Sequence, residues 1–271
     1  MNPVIFSIGG FDIKWYSVLI LLAVIIGITL VQKEAKKFKI KGDFIFNMLF
    51  WAIIFAFIGA RIYFVIFNWD YYSKNLSEIY KTWDGGLAIH GGIIAALMTV
   101  YIYCKRYKVR FIRYLDFMAV PLLLCQTIGR WGNFFNREAH GVVTTAENLR
   151  KLFIPNFIIE GMKIDNVYYT PTFLYESLAC FVLFIIFLFI RRNKYTKVGT
   201  MTGLYFIGYG IIRFFIEMSR TDALLLGGFK IAQIVSIIMI IIGIVILTIN
   251  SRKSKFEDLY NDKNNVDKVL F

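Results

Sequence analysis

Seven hydrophobic runs, each ended by a cluster of polar or turn-forming residues, punctuate the 271-residue chain. A helix needs roughly 20 residues to cross the hydrocarbon of a bilayer. On that measure the runs predict spans over 15–31, 44–67, 87–104, 114–128, 173–190, 199–218 and 231–249. The first run carries no charge, is followed by lysines from Lys33 onward and lacks a small-residue cleavage pattern, so it reads as a permanent anchor rather than a removable signal peptide. The predicted fold class is an all-α polytopic membrane protein of seven transmembrane helices.

The polar intervals have patterns of their own. In "NLSEIYKTWDGG", Leu76, Ile79, Tyr80 and Trp83 fall at i, i+3, i+4 and i+7, the spacing of a short interfacial helix. The longest interval, 130–171, contains "TTAE", a capping box of Thr144 with Glu147 that opens a short helix stopped by Pro155. Beyond it "NFIIEGMKIDNVYY" alternates like a hairpin. The chain thus reads as a single membrane-embedded domain, 1–271, with a compact head inserted at 130–171 and a basic tail at 250–271.

Composition and charge sharpen this picture. At 58% hydrophobic and 18% aromatic residues the chain is too apolar for a soluble domain of its length. The net charge of +13 invites a nucleic-acid reading, but nineteen of the lysines and arginines lie in alternate loops and the tail, against ten on the opposite side. Such retention of basic residues on the cytoplasmic side puts the amino terminus outside and the carboxyl terminus inside. It also makes the basic tail solvated positive-inside charge, with no nucleic acid as partner. Cys104, Cys125 and Cys180 all fall within or at the end of spans, which argues against a disulfide framework or structural zinc. With only His90 and His140 as histidines, no metal motif is visible.

Candidate chemistry follows from depth. Only Arg61 and Arg213 of the basic residues sit inside spans, where an arginine costs roughly 2.5–3.5 kcal/mol on insertion scales and therefore faces a partner or a substrate. In the proposed topology Arg61, His90, Arg130, Glu138, Glu176, Tyr209, Arg213 and Glu217 all arrive near the outer headgroups. Tyr209, Arg213 and Glu217 share one helix face. "GRWGNFFNREAHG" reads as a helix broken at the membrane surface, presenting Arg130 to an anionic headgroup, with Gly129, Gly132 and Gly141 permitting turns and close approach. Asn133 and Asn136 can bridge backbone or glycerol oxygens, or cap the broken helix. Arg61 can instead form a buried bridge with Glu176 or Glu217. Asp116 reads as a boundary residue and His140 as a surface residue.

These residues carry a resemblance. "WYS", "GARIYF", "WDGGLAIHGG", "GRWGNFFNREAHG", "TPTFLYE", "GYGIIRFFIE" and "SRTD", in this order, resemble the prolipoprotein diacylglyceryl transferase family across almost the whole chain. The resemblance implies transfer of a diacylglyceryl group from phosphatidylglycerol to the thiol of a lipobox cysteine in a prolipoprotein signal peptide, with release of glycerol phosphate at the bilayer's outer face. It implies a multi-pass plasma-membrane location and no cofactor. Histidine often stands in the family where this chain has Thr170, so that position receives no catalytic role.

The chemistry then assigns His90 as base for the thiol, because its ordinary pKa lies nearest 7. Arg130 holds the lipid phosphate, Arg213 stabilises the departing phosphate, and Tyr209 donates a hydrogen bond from one turn before it. Glu138 orients an arginine or binds glycerol hydroxyls. Tyr16, Arg61, Asn133, Asn136, Gly141 and Arg220 complete the candidate substrate contacts. An anionic-lipid transporter or a headgroup-remodelling phospholipid enzyme remains an alternative use of the same residues.

Overall fold

The computed structural model describes residues 3–8, 11–221 and 225–262. Asp222 of "SRTD" and the end of the basic tail, including Lys263 and Lys268, lie outside the described residues. The structure falls into two compact units, one holding the chain up to Leu30 and from Leu115 onward, the other Val31–Tyr114.

The larger unit opens with an antiparallel hairpin, β1 (Val4–Ile8) and β2 (Phe11–Lys14), which feeds directly into α1 (Trp15–Lys36). In the smaller unit α2 (Gly42–Phe67) is followed by a single turn, α3 (Trp69–Tyr72), and by α4 (Ile89–Arg106). The stretch predicted as one interfacial helix folds as two separate 3-10 turns, Leu76–Glu78 and Thr82–Asp84. The cause is Arg61, described below, which draws the intervening carbonyls inward.

Small residues let neighbouring helices approach closely. A Cβ on Gly91 would strike the Gly59 carbonyl and Tyr63, and one on Gly92 would lie 3.2 Å from the Ala56 carbonyl, so α4 lies directly on the backbone of α2. Close backbone approach replaces the hydrophobic drive that is missing between helices in lipid. The same device joins the two last long helices, α9 (Thr200–Ser219) and α10 (Ile231–Ser251). A Cβ on Gly203 would lie 3.2 Å from the Gly243 carbonyl, and one on Gly210 3.0 Å from that of Ser236.

Helix α5 (Phe111–Asn136) corrects the predicted break at Gly129, since it continues two turns further, through Gly132, to Asn136. The penalty of about 1 kcal/mol for each helical glycine is offset by packing, because both glycines are covered by α1. A Cβ on Gly129 would meet Ile20, and one on Gly132 would press on the Tyr16 ring at 2.7 Å. Trp15 stacks on Phe135 with centroids 5.1 Å apart. The chain turns instead at Arg137 and Ala139, both at positive φ (55° and 57°).

The head contains more helix than expected. Strand β3 (Val143–Thr144) leads into α6 (Ala146–Lys151), whose cap is Thr145 rather than Thr144: its side chain accepts from the Asn148 N–H at 3.2 Å. Helix α7 (Asn156–Gly161) occupies the first half of the predicted hairpin. Only β4 (Lys163–Ile164) and β5 (Val167–Tyr169) form the turn, over Asp165 and Asn166 in left-handed conformation. The sheet order is β3-β5-β4. Its core of Leu149, Ile154, Ile158, Ile159 and Met162 packs on Phe134 of α5 and Phe173 of α8 (Thr172–Arg192), whose rings stack at 4.6 Å.

A further hairpin, β6 (Leu225–Leu226) and β7 (Phe229–Lys230), reverses over Gly227 and Gly228 into α10. Lys230 donates to the carbonyls of Glu217, Met218 and Arg220, satisfying the open end of α9. At the other end Asp116, fully buried, is no boundary residue. It accepts from the Gly199 N–H, and from the Thr202 N–H and hydroxyl at 2.8 and 2.7 Å, capping the α9 amino terminus from a neighbouring helix. The described part of the tail is not a free basic arm. Tyr260, fully buried, donates its N–H to the Thr196 carbonyl at 2.7 Å, and Val198 donates to the Asp258 carbonyl. Arg113 and Arg191, two of the basic residues counted in the loops, are also buried, Arg113 with its guanidinium 5.2 Å from the Phe38 ring centroid.

Among the described residues five helices are long and apolar enough to cross a membrane by length and composition: α1, α2, α5, α8 and α10.

Candidate functional site in the larger unit

The site is built where α5 ends, α8 begins and α9 ends. Glu176, one turn into α8 and 1% exposed, is its hub. It accepts from Arg130 Nη2 of α5 at 2.6 Å, from Tyr209 Oη of α9 at 3.2 Å and from Arg213 Nη1 of α9 at 3.4 Å. Arg213 also pairs with Glu217 one turn later at 2.7 Å, and Arg220 approaches the same carboxylate at 3.9 Å. Glu217 is 2% exposed.

Arg130 is held a second time, by Asn133 Oδ1 at 3.3 Å. These two contacts occupy only part of a five-donor planar fork, whose remaining N–H groups suit a phosphate. Asn133 in turn donates to Glu138 Oε1 at 3.0 Å, and Asn136 donates to the same oxygen at 3.3 Å. Glu138 therefore reaches Arg130 through Asn133, not by direct pairing. The exposed carboxylate is aimed by the turn at Arg137 and Ala139. A left-handed non-glycine residue costs roughly 1–2 kcal/mol. The turn is held by a 2.6 Å hydrogen bond from Thr172 Oγ1 to the Ala139 carbonyl, and by the Glu138 N–H on the Asn133 carbonyl.

Several expectations are revised. Arg61 is 7% exposed and makes neither the Glu176 nor the Glu217 bridge. Its Nε donates to Ile79 O, Nη1 to Gly85 O and Gly86 O, and Nη2 to Glu78 O and Lys81 O, at 2.7–3.2 Å. All five donors are spent on loop carbonyls, so none remains for a lipid phosphate. Gly141 is buried with its N–H on the Thr170 carbonyl at 2.9 Å, and a Cβ there would meet Thr172 and Thr170 at 2.9 and 3.0 Å. Its close approach is to its own chain, where it bridges to Arg220, rather than to a substrate. His140 is half-buried, its ring 4.1 Å from that of Tyr169. Tyr16 lies against Gly132, two residues beyond Arg130, and remains partly exposed.

His90 and Arg61 belong to the smaller unit. His90 is the second residue of α4, exposed, with its ring 6.3 Å from that of Tyr63. In the same unit Tyr71 donates to Glu78 at 2.6 Å, which holds the Glu78 carboxyl below the usual range and pushes the Tyr71 phenol up.

Glu176, the hub of this cluster, is a residue that motif reading gave only as a possible partner of Arg61. The available signal was its place in "TPTFLYE", since a carboxylate one turn inside an apolar helix requires a cationic partner. Among the described residues no group of acidic, histidine or cysteine side chains is arranged to hold a metal ion.

Comparison with known proteins finds relatives along nearly the whole chain. The family model described as prolipoprotein diacylglyceryl transferase matches residues 3–249. A phosphatidylglycerol–prolipoprotein diacylglyceryl transferase of Listeria monocytogenes serotype 4b is 44% identical over 270 residues, covering 100% of this chain and 96% of the relative. Proteins of the same name from Ligilactobacillus salivarius (45% over 245 residues, 90% of this chain and 91% of the relative) and Staphylococcus xylosus (43% over 263, 96% and 94%) are similar throughout. The chain belongs to the prolipoprotein diacylglyceryl transferase family.

Proposed function

We propose that this protein transfers the diacylglyceryl group of phosphatidylglycerol to the thiol of the lipobox cysteine of a prolipoprotein, forming a thioether and releasing glycerol phosphate. The observation that carries the reading is the meeting of two guanidiniums from different helices, Arg130 and Arg213, on the single buried carboxylate of Glu176. Such a pair is pre-positioned, so it needs no reorganisation when negative charge develops on a leaving phosphate.

In the reaction, the cysteine sulfur attacks the glyceryl CH2 that bears the phosphate. The carbon–oxygen bond breaks, and its electron pair leaves on glycerol phosphate. Arg130 holds the phosphate in the ground state, and Arg213 takes up charge as the bond lengthens. Tyr209 keeps Glu176 oriented between them, and the thiol gives up its proton to a base, the role that the chemistry of an imidazole gives to His90. Glu138, fixed by Asn133 and Asn136, is placed to accept from the glycerol headgroup. Arg220 adds positive charge at the rim beside Glu217, and Tyr16 supports the lipid beside Gly132. The carbon–oxygen bond of the lipid supplies the driving force, so neither cofactor nor nucleotide is called for.

We also read α4 and α9 as spans, the third and sixth in chain order, which brings the number to seven. At 18 and 20 residues and 1.5 Å per residue they reach roughly 27 and 30 Å. Their lower hydropathy comes from the residues the site and the packing require: His90, Gly91 and Gly92 in one, Gly203, Gly210, Arg213 and Glu217 in the other. The amino terminus and the active face lie outside the plasma membrane, and the basic loops lie inside.

The test supplies purified protein in micelles with phosphatidylglycerol and a cysteine-containing lipobox peptide, beside a serine-substituted peptide. Mass spectrometry is expected to find the diacylglyceryl adduct on the cysteine peptide alone, with glycerol phosphate released in equal amount. Phosphate release without peptide modification would identify a lipid-remodelling enzyme. Neither product from folded protein would favour transport.

A further inference from the structure

One helical turn deeper than the phosphate-holding cluster, α5 and α9 meet through a polar pair that the reaction above does not use. Gln126 precedes Arg130 by four residues, and Tyr205 precedes Tyr209 by four. Each therefore lies about 6 Å further from the loop end of its helix. Gln126 Nε2 donates to the Tyr205 hydroxyl at 2.9 Å, and the Tyr205 ring stacks on that of Tyr209 with centroids 5.7 Å apart and planes within 10°. A polar ladder thus runs inward from Glu176 through Tyr209 and Tyr205 to Gln126.

The ladder is unsatisfied at its deep end. Gln126 Oε1 is buried without a hydrogen-bond partner among the described residues. The Tyr205 hydroxyl, accepting from Gln126, keeps its own proton to donate. Half a rotation of the amide lets Tyr205 donate to Oε1 and turns the two amide N–H groups outward instead. In the first arrangement the orphan is the acceptor Oε1, which only a donor could satisfy; the rotation removes that orphan and leaves two N–H donors unused, in a place where an unmade hydrogen bond is costly. The guest that fits the rotated amide is one that accepts.

We infer that Gln126 and Tyr205 form a subsite for an acyl-ester carbonyl of the phospholipid, fixing the glyceryl carbon below Arg130 and Arg213. In a glycerophospholipid the ester carbonyls follow the phosphate by a few bonds toward the acyl chains, matching the order Arg130 then Gln126 along α5 and Tyr209 then Tyr205 along α9. An ester oxygen accepts and cannot donate, which suits the rotated amide. The subsite rests on the transferase reading and deepens it: the enzyme selects diacyl lipids over dialkyl ones, by the linkage rather than the chain.

The experiment compares kcat/KM for ester-linked phosphatidylglycerol with that for its di-O-alkyl ether analogue of equal chain length, using full-length protein in micelles. One net hydrogen bond corresponds to a preference for the ester of about threefold to tenfold. Tyr205→Phe, which keeps the ring stacked on Tyr209, and Gln126→Leu should each bring the ratio toward one, by slowing the ester while leaving the ether rate unchanged. A merely structural role would slow both lipids alike and preserve the ratio. Equal use of both lipids by the wild type overturns the subsite, as does a ratio unchanged in Tyr205→Phe. The wild-type ratio is read without any variant, so poor folding of Gln126→Leu does not decide the matter. No turnover of either lipid by folded wild type overturns the transferase reading and the subsite together.

Discussion

Replacing Glu176 by glutamine removes one negative charge and little volume from the centre of the site. The side chain is 2% exposed and accepts from Arg130 at 2.6 Å, Tyr209 at 3.2 Å and Arg213 at 3.4 Å. Two unit charges about 4 Å apart attract by roughly 4 kcal/mol at an effective dielectric constant near 20. Desolvation already offsets part of that in the native pair, whereas removing one partner leaves the other buried and unpaired, which costs about 3–5 kcal/mol. Glutamine keeps one carbonyl acceptor, so the expected loss is near the lower end, about 3 kcal/mol. For a domain of this size each kcal/mol moves the melting temperature by roughly 2–4 °C. Glu176→Gln should therefore melt about 6–12 °C below the wild type in the same micelles, followed by near-ultraviolet circular dichroism. Phosphatidylglycerol should restore more stability to the variant than to the wild type, because its phosphate supplies the missing negative charge. A variant melting within about 1 °C of the wild type would falsify the view that Glu176 holds the two arginines by charge.

Arg61→Lys replaces a fork that meets five carbonyls with a three-donor ammonium. The loop over 78–86 should become several-fold more sensitive to limited proteolysis, and an unchanged cleavage rate would remove Arg61 from its role as the loop's clasp. Gly141→Ala puts a methyl group 2.9–3.0 Å from Thr172 and Thr170. It should cost about 1–3 kcal/mol by overpacking, read as a lower melting temperature, and wild-type stability would contradict the packing argument. Glu78 has its pKa depressed in the folded state by the Tyr71 hydroxyl. The contribution of that contact is therefore present above the ordinary glutamate pKa and is lost as pH falls through the depressed folded value. Tyr71→Phe should move the Glu78 carboxyl resonance midpoint upward in an NMR titration. No movement would mean that the hydrogen bond is not its cause.

Much of the site was legible because membrane insertion penalises charge. Arg213 and Glu217, four residues apart within an apolar run, announce a buried pair, and Arg130 at the end of another run announces an anion contact or an ion pair. Glu176 was harder to place, since which arginine a carboxylate meets depends on how three helices pack, and motif spacing carries no such information. Arg61 misled for the same reason: an arginine in a span needs acceptors, and backbone carbonyls satisfy it as well as a carboxylate does. The helical spans were recognisable from apolar length, but the end of α5 was not. Gly129 and Gly132 favour a break locally, and α1 overrides that preference by packing Ile20 and Tyr16 onto them. In the head, Thr144 and Thr145 are equally good caps by chemistry, and the pairing of β3 with β5 leaves Thr145 to do it. Asp116 looked like a boundary charge because its partners, the first N–H groups of α9, lie more than eighty residues away.

The most direct test of the account is tandem mass spectrometry of a cysteine lipobox peptide after incubation with phosphatidylglycerol and either the wild type or Arg130→Ala, each verified as folded by its melting curve. The account predicts a diacylglyceryl mass located on the cysteine sulfur with the wild type, and its loss by at least about a hundredfold with the variant, the scale of a removed charge-stabilising donor. Wild-type levels of the adduct from folded Arg130→Ala would contradict it.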